Sequence, residues 1–331
     1  MQPAADEGAS IAVPAGPDET PLLEFLSGRL INESKTTLRR LIGSGAVLLN
    51  GRAVRPTSIV RAGDVVALPP GLDEAPPPEQ SVPIEVLYED EAHLCVNKPA
   101  GYTVLPGRGG WDAEYFQSLV AVLNAGARPG GPFLRPHVIH RLDRQTSGVL
   151  LVAKSVEAGR ALSRQFEDRQ IGKTYRALVE GVLPRRELAI DIPIGRQEGH
   201  LVKMRPDPKH GRPASTRVGL AEPFGHFSLL DVHPLTGRQH QIRVHLAAVG
   251  YPLAIDRLYG RRDVLRGADL NAILGAPTAA PDEMLLDRCP LHAASIGYRH
   301  PFTGEPLRHE APLPADLAAL LDRLRRCDRP A

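Results

Sequence analysis

Cysteine is scarce in this chain, with three in 331 residues. Cys95, Cys289 and Cys327 are far apart and form no CxxC pair, which excludes the common zinc-binding spacings and a disulfide framework. No apolar run reaches the length of about 18 residues that a membrane helix needs, and no Lys or Arg precedes Arg29 in the manner of a signal peptide. We therefore expect a protein of the reducing cytoplasm with no membrane partner.

Motifs for cofactors are also missing. The sequence contains neither GxGxxG nor the phosphate-binding GxxxxGK[ST], and its 12 histidines show no HExxH or similar ligand spacing. We expect no nucleotide cofactor and no metal, and we interpret His140 and His292 as structural residues.

Positive charge is concentrated in two stretches, although the formal net charge is only +2. Residues 20–70 hold seven Lys and Arg against three acidic residues, and residues 196–217 hold six against two. A polyanion could bind such surfaces, but two solvated faces are an equally ordinary explanation. Charge alone therefore leaves nucleic-acid binding open.

The composition divides the chain into segments. Its length and a hydrophobic content of 42% predict two or three domains. Residues 1–19 are rich in Ala, Gly, Pro and acidic residues, which predicts a disordered tail. Residues 20–70 predict a small α/β domain, in which two helices precede a hairpin with an Asn-Gly turn. Residues 71–81 are typical of an extended, Pro-rich acidic linker, and residues 82–327 form the last domain.

The pattern of the last domain indicates a mixed α+β fold. Short β-rich runs dominate it, interleaved with helices near 156–168 and 240–249. The β-rich runs cover residues 84–88, 93–97, 149–153, 173–181 and 227–232. Residues 261–288 match neither pattern, and we expect a loose insertion there with no assigned function.

The most informative segment is HRLDRQTSGVLLVAKS at residues 140–155. It places Asp143 between two arginines, directly before a strongly apolar strand. Burial at the edge of a core disfavours an ionised carboxylate, so Asp143 must rest in a polar turn or face a cation from another part of the chain. A turn aspartate that binds backbone amides is the ordinary structural explanation for this residue taken alone.

The same segment resembles the signature of the RluA-type RNA pseudouridine synthases, in which His-Arg-Leu-Asp is followed by two variable residues, Thr-Ser-Gly and an apolar run. Four further segments of that family occur in the same order, namely YEDEAHLCVNKPAG at 88–101, KTYRALVEG at 173–181, PLTGRQHQIRVHL at 234–246 and PLHAASIGYRHPFTGEPL at 290–307. The resemblance covers about residues 20–325. Five matching segments in sequence are much stronger than any one of them alone.

This resemblance implies a largely antiparallel β-sheet catalytic domain of pseudouridine synthase type. It also implies an isomerase that acts on uridine in structured RNA, either ribosomal RNA of the large subunit or transfer RNA. The reaction exchanges the bond between uracil N1 and ribose C1′ for a bond between C5 and C1′, so no electron is gained or lost and no cofactor is required. We expect RNA as the partner and a monomeric enzyme.

The family assigns roles to four residues of this domain. Asp143 matches the nucleophile, and Arg243 matches the arginine that pairs with it and keeps it ionised. Tyr175 matches the tyrosine that contacts the target uracil, and Arg141 matches the arginine that fills the gap left by a flipped nucleotide. The ordinary alternatives are an exposed helix arginine for Arg243, a core tyrosine for Tyr175 and a phosphate-binding or surface arginine for Arg141.

Residues 20–70 resemble the small RNA-binding domain first recognised in a small-subunit ribosomal protein. Phosphate contacts position RNA without reading its sequence. The candidates for such contacts in this domain are Lys35, Arg39, Arg40 and Arg52. The basic stretch at 196–217 fits a hairpin flap over RNA.

Three positions depart from the family pattern. Leu105 stands where many members have His, Gln239 where Thr is common, and Ile255 where Gly usually precedes Asp256. A β-branched residue resists the positive φ that glycine can adopt, which places the backbone at Ile255 in question.

Two other functions compete with catalysis of this isomerisation. The main alternative is a catalytically inactive RNA-binding protein of the same fold, against which the intact Asp143, Tyr175 and Arg243 argue. A hydrolase of nucleoside bonds would need a second carboxylate to activate water, and no paired-acid pattern accompanies Asp143.

Overall fold

The computed structural model describes residues 10–13, 20–30, 35–69, 84–104, 137–200 and 203–327. The chain divides into two compact units, and the described residues up to 69 belong to the first and those from 84 onward to the second. The linker predicted at 71–81 and Leu105 lie outside the described residues. No helix of the described part is both long and apolar enough to cross a membrane.

The N-terminal unit packs two short helices on small antiparallel sheets. Its elements are β1 (Ser10–Ala12), β2 (Thr20–Pro21), α1 (Leu22–Arg29), α2 (Lys35–Gly43), β3 (Leu48–Leu49), β4 (Arg52–Ala53), β5 (Ile59–Val60) and β6 (Val65–Ala67). Strands pair in the order β1-β6-β3-β4, and β2 pairs with β5. Leu22, Leu26, Leu38 and Ile42 are fully buried between these elements. The Asn-Gly turn between β3 and β4 has positive φ at both residues, as a two-residue hairpin turn requires.

Part of the disordered tail predicted at 1–19 is ordered. Ser10–Ala12 pairs antiparallel with β6, and Val13 is buried, so the prediction was wrong for these residues. The average composition of the tail concealed Ser-Ile-Ala-Val, a short apolar segment that adds an edge strand to an existing sheet. The other residues of the predicted tail, 1–9 and 14–19, lie outside the described part.

The second unit is built on one large sheet. Its elements are β7 (Glu85–Glu89), β8 (His93–Lys98), β9 (His137–Val138), β10 (Ser147–Ala153), α3 (Val156–Glu167), β11 (Gly172–Glu180), β12 (Glu187–Ile190), β13 (Ile194–Arg196), β14 (Met204–Pro206), β15 (Thr216–Phe224), β16 (Phe227–Pro234), α4 (Gln241–Ala248), β17 (Leu265–Arg266), α5 (Gly267–Leu274), β18 (Met284–Leu286), β19 (Leu291–Arg299), β20 (Pro306–Glu310) and α6 (Ala315–Cys327).

The large sheet has the order β12-β15-β16-β11-β19-β10-β8-β7, with β20 beside β19 and β9 beside β10. Neighbours among the described strands are antiparallel except β10 and β19, which are parallel. Helices pack on this sheet, and β13 and β14 pair separately from it, with β14 inside the basic stretch at 196–217 and β13 ending at its first residue. The predicted α+β class, with a mixed and largely antiparallel sheet, is confirmed.

Residues 261–288 are packed rather than loose, so this prediction was wrong. The segment folds as β17, α5 and β18, and Leu265, Leu270 and Leu286 are buried in one core with Leu317 and Leu321 of α6. The apolar residues stand in runs too short to show a period in the sequence. Their common partner, α6, lies far along the chain and becomes apparent only in the folded structure.

Candidate active site

Asp143 lies in the turn that leads into β10. The backbone N–H of Thr146 donates to the Asp143 carbonyl oxygen at 3.0 Å, which closes the turn. β10 is buried along its whole length, whereas the Asp143 side chain remains 20% exposed. Its carboxylate faces a cavity of about 490 Å³, a size suited to a small organic group.

The Thr-Ser-Gly that follows Asp143 attaches this turn to the sheet. Gly148 has φ +110, and a Cβ placed there would lie 2.2 Å from the carbonyl oxygen of Ala293 in β19. The Ser147 hydroxyl contacts Nδ1 of His292, also in β19, at 3.0 Å. Glycine is therefore required where the two parallel strands approach, and this contact places Asp143 at the end of the pair.

Arg243, in the first turn of α4, lines the same cavity and contacts Asp143. Its Nη1 donates to Oδ2 of Asp143 at 3.2 Å, and the residue is 8% exposed. The structure thus brings these two predicted residues into contact although they are 100 positions apart.

Asp256 is a partner of Arg243 that the sequence analysis did not single out. Its two carboxylate oxygens accept from Nε and Nη2 of Arg243, both at 2.7 Å. Burial lowers the pKa of Arg243, but the hydrogen bonds and charge of Asp256 outweigh this effect and raise the pKa above its usual value. Arg243 therefore stays a cation, with its remaining Nη1 directed at Asp143.

The loop around Asp256 does not require a positive φ at Ile255, the position where the family usually has glycine. Described non-glycine residues with positive φ are Asn50, Arg169 and His240, so the backbone at Ile255 needs no glycine. Gly260 packs closely against this loop, because a Cβ there would lie 2.8 Å from the backbone of Asp256.

Tyr175 is half-buried on β11 and lines the same cavity. The pairing of β11 with β19 shifts register between Thr174 and Tyr175, and such irregularities redirect side chains near functional sites. Burial, and then the charge of Asp143, raise the pKa of the Tyr175 phenol. The hydroxyl is therefore protonated at neutral pH and can donate a hydrogen bond.

His240, another residue that sequence reasoning passed over, is held next to Asp143. The backbone N–H of Met204 in β14 donates to the Tyr259 hydroxyl at 2.8 Å, and that hydroxyl lies 2.8 Å from Nδ1 of His240. Nε2 of the same ring lies 3.9 Å from Oδ2 of Asp143, so the contact with Tyr259 orients the His240 ring toward that carboxylate.

Lys98 stabilises the turn of Asp143 by hydrogen bonds to backbone carbonyl groups. It is fully buried, and its Nζ donates to the carbonyl oxygens of Pro99, Tyr102 and Arg144 at 2.8, 2.8 and 3.3 Å. Burial lowers the pKa of Lys98 to about 7, while the charge of Asp143 acts in the opposite direction. The lysine ties the residue after Asp143 to the neighbouring loop.

Arg141 is exposed and lines the mouth of the cavity, two residues before Asp143. The four predicted RNA contacts belong to the N-terminal unit. Arg39 and Arg40 are exposed on α2 and Arg52 is exposed on β4, whereas the side chain of Lys35 lies outside the described part.

One group of side chains has ligand spacing for a metal within the described residues, namely Asp90, His93 and His300. The His300 ring accepts at Nδ1 from the backbone N–H groups of Phe302 and Thr303, so its proton sits on Nε2. That proton points to Oδ2 of Asp90 at 3.0 Å. Nε2 has no lone pair left for a metal, and the group is a hydrogen-bonded network.

Sequence comparison agrees with this geometry. A family model described as RNA pseudouridylate synthase matches residues 92–248. The chain is 34% identical over 307 residues to the uncharacterized RNA pseudouridine synthase YlyB of Bacillus subtilis, which covers 92% of this chain and 93% of that protein. The chain belongs to the RNA pseudouridylate synthase family. The ribosomal large subunit pseudouridine synthase D of Xanthomonas campestris pv. campestris is 38% identical over 301 residues, covering 88% of this chain and 85% of that protein.

A solved structure of the family has the same fold. Human RNA Pseudouridylate Synthase Domain Containing 1 superposes with a TM-score of 0.52 at 25% identity, over 75% of this chain and 97% of that one. The predicted RluA-type family is confirmed, and this synthase is an isomerase that acts on RNA. The matched region contains Asp143, Tyr175 and Arg243.

Proposed function

We propose that this synthase converts uridines of large-subunit ribosomal RNA into pseudouridine, with Asp143 as the nucleophile. The observation that carries the proposal is the 3.2 Å contact between Nη1 of Arg243 and Oδ2 of Asp143, in the wall of a cavity that also holds Tyr175. The choice of RNA is supported by the Xanthomonas relative, whose name assigns it to the large ribosomal subunit. Transfer RNA is the alternative substrate.

The chemistry is redox-neutral and needs no electron carrier. The bond between N1 and C1′ breaks, C5 joins C1′, the hydrogen on C5 leaves as a proton, and N1 gains a proton. An ionised Asp143 can attack C1′ or C6, or remove a proton from the sugar, and all three first steps need the carboxylate free of protons. Arg243 supports that state, since it is held as a cation by Asp256.

Tyr175 and Arg141 are proposed to handle the base itself. The Tyr175 ring can stack on the uracil, and its protonated hydroxyl makes it a hydrogen-bond donor rather than a base in the resting enzyme. The exposed side chain of Arg141 at the cavity mouth is suited to occupy the space that a flipped nucleotide vacates. Extrusion is needed because a stacked uridine has its C1′ out of reach of Asp143.

The N-terminal unit is proposed to hold RNA through phosphate contacts. Arg39, Arg40 and Arg52 are exposed there, as such contacts require. The predicted division into residues 20–70 and 82–327, joined by a linker, gives the synthase an RNA-holding domain and a catalytic domain. We further propose that it acts as a monomer in the cytoplasm.

Release of tritium tests the proposal, because isomerisation frees the hydrogen on C5. Large-subunit ribosomal RNA and transfer RNA transcripts carrying [5-³H]uridine are incubated with the wild type and with Asp143→Asn, which keeps the shape of the side chain. Release from the ribosomal transcript by the wild type, and none by the variant, is expected. Release from transfer RNA alone would reassign the substrate. Binding of both RNAs without release by the wild type would indicate an inactive RNA-binding protein.

A further inference from the structure

Arg238 is a cation of the cavity to which the proposed reaction gives no role. It lies in the loop before α4, half-buried, and lines the cavity that contains Asp143. Its Nε donates to the carbonyl oxygen of Pro213 at 3.1 Å, which seats the guanidinium beside the exposed Arg212. Among the described residues neither Nη group of Arg238 has a hydrogen-bond partner, so both can meet a ligand at the cavity rim.

Arg169 approaches the same rim from another element. It follows the end of α3, lines the cavity and is exposed. Its φ is +57, in the left-handed region that favours glycine or asparagine at a helix end. The arginine here adopts a backbone conformation that its side chain disfavours, and such outliers cluster at functional sites.

Arg238 lies close enough to Arg212 and Arg169 to be repelled by both, and no described carboxylate neutralises the three charges. Burial, followed by the charges of Arg212 and Arg169, lowers the pKa of Arg238. Within the described part of the chain no carboxylate forms an ion pair with any of them, and Glu167, exposed on the same rim, pairs with none. Asp143, the other acidic residue of the lining, is already bonded to Arg243. The rim therefore carries arginines that no carboxylate of the described residues pairs with.

We propose that Arg169, Arg212 and Arg238 bind the backbone phosphodiester adjacent to the target uridine. A guanidinium matches two phosphate oxygens with its planar pair of N–H groups. A uridine whose base enters the cavity carries its own phosphates to the mouth, which Arg169 and Arg238 line and where Arg212 lies beside Arg238. The inference rests on the proposed function, because it requires that a nucleotide be turned toward Asp143.

Steady-state kinetics on a structured stem-loop tests the site. Arg238→Gln and Arg169→Gly are each expected to raise KM about tenfold or more and to leave kcat nearly unchanged, because the contact is present before and during the reaction. Arg308→Gln is the matched control, since Arg308 is exposed on β20 and bonded to Glu310. Arg169→Gly should also melt at the same or a higher temperature, because it relieves the left-handed backbone, so a loss of stability would not explain the higher KM.

Removal of the substrate charge is the decisive arm. Stem-loops carrying one methylphosphonate, either 5′ or 3′ of the target uridine, are compared with the unmodified RNA. At one of these two positions the methylphosphonate should raise the KM of the wild type as much as Arg238→Gln raises it on unmodified RNA. The same modification should raise the KM of the Arg238→Gln variant little further. If the wild type is active, and the effects of the variant and of the methylphosphonate on KM multiply at both positions, the inference is overturned. No pseudouridine formed from any RNA by the wild type would instead overturn the proposed function.

Discussion

At the scale of single residues, Arg243 is the residue on which two carboxylates depend. It bonds Asp256 with two N–H groups and Asp143 with a third, and Asp256 is 1% exposed. Arg243→Met should abolish activity and lower the free energy of unfolding by about 3–5 kcal/mol, because it leaves Asp256 as an unpaired buried charge. Urea unfolding at neutral pH and the tritium assay measure the two effects.

The double variant Arg243→Met with Asp256→Asn separates these effects. Asparagine removes the remaining charge and keeps an oxygen that accepts from the backbone N–H groups of Leu258 and Tyr259, so it should restore part of the lost stability. Activity should stay absent, since Asp143 still lacks its cation. Recovery of activity together with stability would show that Arg243 has only a structural role.

Arg141 tests whether extrusion of the base limits the reaction. Arg141→Ala should slow turnover greatly on a structured stem-loop, where stacking and pairing oppose extrusion by a few kcal/mol. On a short unstructured RNA with the same uridine, the defect should shrink. Arg141→Lys keeps the charge but not the planar group, so it should rescue in part. Equal losses on both RNAs with full rescue by lysine would assign Arg141 to a phosphate instead.

At the scale of elements, the parallel contact between β10 and β19 positions the turn of Asp143. Gly148→Ala should lower the free energy of unfolding by about 2 kcal/mol or more, since the new Cβ meets both a positive φ and the backbone of Ala293. Gly250→Ala is the control, because Gly250 also has a positive φ, +91, but has no atom within 4 Å of an added Cβ. A similar loss at both positions would mean that backbone strain alone matters.

At the scale of the whole molecule, the N-terminal unit should contribute to the salt dependence of RNA binding. Substitution of Arg39, Arg40 and Arg52 by Gln should reduce the magnitude of the slope of log affinity against log salt by about two to three. Each phosphate contact that is lost reduces the number of counterions released on binding. Binding titrations from low to high salt measure this slope. Loss of three exposed arginines of the second unit, Arg185, Arg186 and Arg308, is the control for net charge. An equal change in both triple variants would argue against local contacts.

The stability of the fold should fall as the medium becomes mildly acidic. Burial lowers the pKa of His93 to about 4, and that of His140 to about 3 with a further contribution from Lys173. The unfolded chain takes up these protons near pH 6.5, whereas the native state does not. This contribution to stability is therefore complete above pH 6.5 and is lost as the pH falls, down to about pH 4 for His93 and about pH 3 for His140, by up to about 1.4 kcal/mol per pH unit for each histidine.

Urea unfolding between pH 7.5 and pH 5 checks this expectation. His140→Gln removes one titrating group and keeps an oxygen that can accept from the backbone N–H of Leu151, as the imidazole does now. The variant should lose stability less steeply than the wild type. A flat profile for the wild type would show that these histidines titrate alike in the folded and unfolded chains.

The local sequence pattern determined the fold class, most strands and the choice of the main site residues. The apolar run after Asp143, the Asn-Gly turn and the alternation of strands and helices follow from neighbouring side chains, so the fold class and the strands were predictable. Asp143, Tyr175 and Arg243 could be selected because each stands in a short family segment. Composition, by contrast, averaged away the strand at Ser10–Ala12.

Tertiary structure decided what depends on distant partners. Asp256 holds Arg243, and Tyr259 orients the ring of His240, through contacts that no local pattern encodes. The core of residues 261–288 likewise required α6. The physical reason is that hydrogen bonds and burial are determined by positions in space, and the chain brings these groups together only when the sheet has formed.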